Sequence, residues 1–253
     1  MRVRAIQLAY GDDESLQGRT ERVAGLVREQ RGADLVVLPE LWPHGGFAYD
    51  RWEDQAQPLD GPVVTTMRAA AEDLEATVHM GSFVERDEAG RLFNTSVLIG
   101  HTGELLTTYR KVHLFGFGDG EPKLMTAGDG PVVHRNLGLA TCYDLRFPEF
   151  FRRLLDDGAQ VVLLVAAWPA RRVAHWRLLA QARAVENQCY VVACNTAGTH
   201  AGVPMGAGSL VVDPWGQILA EAGTAEEVLG VDLDLDLVRT TRASFPVLTD
   251  RRL

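Results

Sequence analysis

Leu35-Val36-Val37-Leu38-Pro39-Glu40 is the stretch on which the fold turns. Four apolar residues with no polar break read as a short buried strand, and a carboxylate follows one residue beyond its end. Upstream, Val3-Arg4-Ala5-Ile6-Gln7-Leu8-Ala9 mixes apolar and polar residues with period two, the pattern of a strand. Between the two lie a polar turn, Gly11 to Ser15, and a helical face of Val23, Leu26 and Val27 that stops near Gly32. Strand, helix and strand in that order favour a parallel pair.

The same theme continues outward. Pro62 after Gly61 marks a second helix start, running to about Ala76. Thr77 to Val84, Phe93 to Ile99 and Glu104 to Tyr109 read as strands, with a charged hairpin-type turn from Glu85 to Arg91. Lys111 to Gly130 is glycine-rich and irregular, and a loop of that length inside a compact domain is usually functional. Beyond it come a strand Leu137 to Thr141, a helix Pro148 to Asp157, a buried strand Val161 to Val165 and a helix Val173 to Asn187 with Trp176, Ala180 and Ala184 on one face. Strands at Tyr190 to Ala193, Ser209 to Val212 and Val228 to Asp234 complete the chain. No linker composition interrupts it, so one α/β domain over residues 1–253, with two similar halves, is the expectation.

Composition narrows the class. The 253 residues carry 25 basic and 34 acidic side chains, a net charge of −9, which argues against nucleic acid or an anionic membrane as partner. Cys142, Cys189 and Cys194 are three cysteines, too few and odd in number for a disulfide framework. No secretory signal pattern opens the sequence, and no apolar run approaches the ~18–20 residues that span a bilayer. The expected compartment is the reducing cytoplasm.

Chemistry concentrates at strand ends. Glu40 lies where open α/β sheets build their sites, and its apolar neighbours Leu38, Pro39, Leu41, Trp42 and Pro43 would partly desolvate it, which suits a general base. Cys142 ends the strand Leu137 to Thr141 just before a helix, a turn that resembles a nucleophile elbow, where backbone N–H groups can hold an oxyanion. Cys189 and Cys194 read as core cysteines. Lys111, at another strand end, reads either as an ordinary surface lysine or as a group that lowers a thiol pKa and donates to an oxyanion. His113 and His200 stay open as partners of Cys142 in a papain-like pair. No histidine pair or Cys-x-x-Cys has zinc spacing, no glycine loop has phosphate-binding spacing, and no metal or cofactor is expected. Asp232, Asp234 and Asp236 alternate with leucines and read as the solvated face of a strand.

Three segments taken together say more. Leu35-Val-Val-Leu-Pro-Glu40-Leu, Tyr109-Arg-Lys111-Val-His-Leu-Phe and Ala140-Thr-Cys142-Tyr-Asp-Leu-Arg-Phe-Pro-Glu149 occur in that order and resemble the signature regions of the nitrilase superfamily, the carbon–nitrogen hydrolases. The likeness continues through Ala167-Trp-Pro169, Ala182-Arg-Ala-Val-Glu-Asn187 and Ser209-Leu-Val-Val-Asp-Pro-Trp-Gly216 to Phe245, and Cys-Tyr-Asp-Leu-Arg-Phe-Pro-Glu is most similar to the omega-amidase-type branch. The resemblance implies a four-layer α-β-β-α sandwich with Glu40 as base, Lys111 as electrostatic partner, Cys142 as nucleophile and Glu121 in support. It implies a substrate pocket bordered by Tyr143, Arg146 and Trp168, with Arg146 gripping a substrate carboxylate or else pairing with Asp144 or Glu149. Many relatives have Asn where this chain has Ala167, and Asn-Arg-Val-Gly where it reads Asn195-Thr-Ala-Gly198. The expected substrate is a small linear amide bearing a carboxylate, with N-carbamoyl hydrolysis, nitrile hydrolysis or a non-catalytic binding role as alternatives. The expected assembly is a homodimer or higher oligomer, formed across Pro148 to Asp157 and Val173 to Asn187, with Trp176 and Phe150-Phe151 as its apolar anchors.

Overall fold

The computed structural model describes residues 1–252. The first half contains β1 (Arg2–Gln7), β2 (Ala9–Tyr10), α1 (Leu16–Arg28), β3 (Leu35–Val37), α2 (Tyr49–Gln55), α3 (Pro62–Leu74), β4 (Thr77–Arg86), β5 (Leu92–Ile99) and β6 (Leu105–Arg110). A short α4 (Glu121–Leu124) leads to β7 (Val132–His134), β8 (Leu137–Thr141), a 3₁₀ turn at Cys142–Arg146, α5 (Pro148–Asp156), β9 (Val161–Val165) and α6 (Val173–Asn187). Then follow β10 (Tyr190–Cys194), β11 (Ala197–His200), β12 (Val203–Pro204), β13 (Leu210–Val212), β14 (Ile218–Glu221), β15 (Glu227–Asp232) and α7 (Asp236–Ser244).

Two sheets of six strands face each other, in the orders β15-β1-β3-β4-β5-β6 and β14-β13-β10-β9-β8-β7. Each has three parallel strands at its heart, β1-β3-β4 in one and β8-β9-β10 in the other. The apolar run of β3 now has its reason. Leu35 and Val37 point between the sheets, while Val36 and Leu38 pack under α1 and α3 with Val23, Val27, Val63 and Met67. On the far side, Phe150, Phe151, Trp176, Ala180 and Ala184 lay α5 and α6 on the second sheet. The layers run helix, sheet, sheet, helix. Trp176, Phe150 and Phe151 are fully covered within the chain, so they are not the exposed oligomer anchors expected from sequence.

Several local readings need correction. Asp232, Asp234 and Asp236 are not one strand face. The strand ends at Asp232, and the Asp234 carboxylate accepts from the Asp236 N–H at 3.0 Å as α7 begins. Glu85 is no turn residue but a buried member of β4 that accepts from Arg110. Elements α2, α4, β7, β11, β12, β14 and α7 have no counterpart in the sequence reading, and α4 lies inside the stretch expected to be irregular; they are short or lack clear periodicity.

One glycine bears directly on Glu40. The register of β4 against β5 shifts between His79 and Ser82, and the loosened strand wraps the Pro39–Leu41 turn. Ser82 N–H donates to Pro39 O, and Leu41 N–H donates to Ser82 Oγ at 3.0 Å. Gly81 has φ +70°, and a Cβ there would lie 1.9 Å from Pro39 O. Gly81→Ala is therefore expected to cost about 2 kcal/mol of stability, through strain and overpacking, and to displace Glu40. Urea unfolding and steady-state turnover check both effects; an unchanged midpoint with full activity would show that the turn has slack.

Candidate active site

Glu40 hangs just past β3, Lys111 just past β6, and Cys142 just past β8, so both sheets deliver their strand ends to one place. Lys111 is 1% exposed, and its Nζ donates to Glu40 Oε1 at 2.8 Å and to Glu121 Oε1 and Oε2 at 3.0 and 2.8 Å. Asn94, in the middle of β5, donates from Nδ2 to Glu40 Oε1 and to Glu121 Oε1, both at 2.8 Å. The second oxygen of Glu40 accepts the Ala167 backbone N–H at 2.8 Å. That bond is to the main chain, so the Ala167 side chain does not bear on it. Glu121 is further fixed by the Phe115 N–H at 2.6 Å.

Burial works to lower the Lys111 pKa, but the charges of Glu121 and Glu40 outweigh it and hold the ammonium well above its ordinary range. Burial pushes the Glu121 carboxyl up, against the pull of Lys111. The Cys142 thiol rises well above the usual cysteine range, because burial and the neighbouring Glu40 carboxylate outweigh the attraction of Lys111. A protonated thiol beside a carboxylate can serve as a nucleophile when proton transfer accompanies its attack.

The turn carrying Cys142 is built by Asp144. Cys142 has φ +46°, the left-handed region that side chains avoid, as a nucleophile elbow requires. The buried Asp144 carboxylate accepts the Thr141 N–H at 2.8 Å, the Tyr109 hydroxyl at 2.6 Å and the His113 N–H at 3.2 Å, and pairs with His113 Nδ1 at 2.8 Å. It thus ties the elbow to the strand end carrying Lys111. The Tyr143 N–H opens the first turn after the elbow, where a helix offers its donors no internal partner. His113 is occupied with Asp144, and His200 stacks on Tyr10 with ring centroids 4.0 Å apart, its pKa pushed down by burial to about 3. The papain-like pairing left open by the sequence is not formed.

Cys142, Tyr143, Arg146 and Trp168 line one cavity of about 20 Å³, room for roughly one water. It shares the walls Phe47, Phe115 and Pro169 with an outer cleft of about 520 Å³. Arg146 pairs with neither Asp144 nor Glu149. Its guanidinium lies 4.8 Å from the Trp168 ring centre and reaches His175 Nδ1 at 3.4 Å, with no carboxylate partner among the described residues. Sequence reasoning missed Asn94 and the hub role of Asp144; the polar run Asn94-Thr95-Ser96 inside a wholly buried strand was the available signal for the first.

Residues 2–243 match the family model of the carbon-nitrogen hydrolases, and the chain belongs to that family. It is an amidase-type hydrolase of carbon–nitrogen bonds. It is 46% identical over 261 residues to the 2-oxoglutaramate amidase of Paenarthrobacter nicotinovorans, covering 99% of this chain and 89% of that one. Among solved structures, a CN-hydrolase superfamily protein from Xanthomonas campestris with an arsenic adduct in its active site superposes with TM-score 0.91 at 32% identity, over 100% of this chain and 97% of that one. A variant of the amidase from Nesterenkonia sp. AN1, with acrylamide added to its active-site cysteine, superposes with TM-score 0.84 at 28% identity, over 98% and 99%.

The raised thiol pKa gives a direct expectation. An ultraviolet titration difference between the wild type and Cys142→Ala will show no thiolate absorbance below about pH 9, the ordinary thiol range having been exceeded. A thiolate step near pH 7 would mean a preformed ion and would remove the need for Glu40 as base.

Proposed function

We propose that this chain hydrolyses the terminal amide of a small dicarboxylic acid monoamide of the 2-oxoglutaramate kind. The supporting observation is that Arg146, with no acid of its own, opens on the same cavity as Cys142. An unpaired guanidinium there suits a substrate carboxylate, which it can grip with two parallel bonds. The name of the Paenarthrobacter relative agrees with a substrate of this shape.

The chemistry follows from the cluster. Glu40 takes the Cys142 proton as sulfur attacks the amide carbon. The tetrahedral oxyanion is met by the Lys111 ammonium and the Tyr143 N–H, donors worth roughly 3–4 kcal/mol each in comparable acyl transfers. Glu40 returns the proton to the departing nitrogen, and ammonia leaves. A water deprotonated by Glu40 then cleaves the thioester and releases the carboxylate, with Glu121 holding Lys111 in place throughout. Trp168 braces Arg146 and walls the acyl site.

We place the enzyme in the reducing cytoplasm, because Cys142, Cys189 and Cys194 are all free and the nucleophile has to stay so. No helix among the described residues is long and apolar enough to cross a membrane. A homo-oligomer remains the proposed assembly, resting on different residues from those first expected. Leu178 and Val185 on α6 are exposed, and Trp215, 53% exposed, stacks on the exposed Phe245, an apolar surface that a second copy would cover.

A panel of short amides scored by ammonia release tests the function: succinamate, 2-oxoglutaramate, an N-carbamoyl amino acid and a neutral amide of similar length. The two acid monoamides are expected to lead. Arg146→Lys is expected to lower their kcat/KM by roughly ten- to a hundredfold, with a loss at least tenfold smaller on the neutral amide. Carbon dioxide released alongside ammonia, with the monoamides inert, would instead mark a carbamoyl hydrolase.

A further inference from the structure

Arg172 is a second cation in the same cavity. It lines the pocket with Cys142 and Arg146, its guanidinium lies 5.2 Å from the Phe115 ring centre, and it has no carboxylate partner among the described residues. Its main chain is pinned, since the Trp168 indole N–H donates to Arg172 O at 2.8 Å, so the side chain springs from a fixed point beside the acyl site. Burial first, and the charges of Arg171 and Arg146 second, lower its pKa. In a protein of net charge −9, leaving two guanidiniums unpaired at one small cavity calls for an anionic occupant.

One carboxylate with a single fork satisfies Arg146. It leaves Arg172, on the same cavity wall, without an anion. A 2-oxo acid presents three acceptor oxygens close to one plane, two on the carboxylate and one on the adjacent carbonyl, which suits two planar forks. Its acid carbon lies about 5 Å from the amide carbon of a five-carbon chain, so one molecule with its amide at Cys142 extends toward Arg146 and Arg172, which line the same cavity and stack on Trp168 and Phe115. We propose that Arg172 is a specificity residue that reads the 2-oxo group, with Arg146 holding the carboxylate, so that the site prefers the ω-amide of a 2-oxo acid over the same monoamide lacking the oxo group. This rests on the function proposed above.

The test compares 2-oxoglutaramate with glutaramate, its deoxy counterpart. Wild type is expected to favour the 2-oxo amide by about tenfold or more in kcat/KM, mainly through KM. Arg172→Gln is expected to bring that ratio to within about threefold of unity, and Arg172→Lys to leave it in between, because an ammonium keeps charge without the fork. Competitive inhibition by 2-oxoglutarate and by glutarate gives the same comparison without turnover, and the preference for 2-oxoglutarate is expected to vanish in Arg172→Gln. A wild type that hydrolyses both amides equally well, or an Arg172→Gln ratio unchanged from wild type, overturns the assignment while the function stands. Failure of wild type on both amides overturns the function and this inference together.

Discussion

The Lys111 ammonium, enclosed by Glu40 and Glu121, is the interaction on which the rest of the molecule depends. Removing three charges from water is expensive, and only close geometry with every lone pair and proton matched offsets it. Here the match is close: Glu121 takes Lys111 with both oxygens, Glu40 with one, and the Asn94 amide bridges the two carboxylates. Two carboxylates against one ammonium leave the cluster net negative, and that surplus sits beside Cys142. Burial first, and the Glu40 charge second, push the Cys142 thiol up, so attack by that sulfur calls for a base beside it.

Because the cluster draws on both sheets, their mutual placement is part of the chemistry. Glu40, Asn94 and Lys111 come from the first sheet, Cys142 and Ala167 from the second. Cys194, a core cysteine as expected, lies at the join: its thiol donates to Ile6 O at 3.3 Å and is 3.5 Å from Val37 O, across the sheet interface. Ser96 and Thr141 hydroxyls meet at 3.2 Å, two residues from Asn94 and one from Cys142 in sequence. At the chain's far end, β15 leaves the second half to pair antiparallel with β1. These links hold the two halves of the site to hydrogen-bonding tolerance.

The parts written in local pattern were legible from the residues. The apolar run Leu35–Leu38, the strand Leu137–Thr141 and the face Trp176, Ala180 and Ala184 of the helix Val173–Asn187 are buried as their period predicts. Glu40, Lys111 and Cys142 lie at strand ends, but position alone left each of them open; the three segments that carry them, taken together and in order, set them apart. What escaped was long-range. Asn94 becomes a site residue only when β5 faces the Glu40 turn, and Glu85 becomes a core residue only when β6 brings Arg110 against it. Asp144 looked like a partner for Arg146 by proximity in sequence, yet Tyr109, His113 and Thr141 converge on it and leave Arg146 free for other use. The oligomer anchors failed for the same reason, since bulky apolar side chains on a helix say nothing of which sheet will cover them.

The central claim is that a neutral Cys142 thiol attacks an amide only as Glu40 takes its proton. Rapid-quench intact-mass measurement of Glu40→Gln mixed with 2-oxoglutaramate tests it most directly, with Cys142→Ala as the blank. Wild type should show a transient mass increase of one acyl group, and Glu40→Gln should show none within many wild-type turnovers. An acyl-enzyme forming in Glu40→Gln at the wild-type rate, then persisting, would contradict the account and confine Glu40 to the hydrolysis of the thioester.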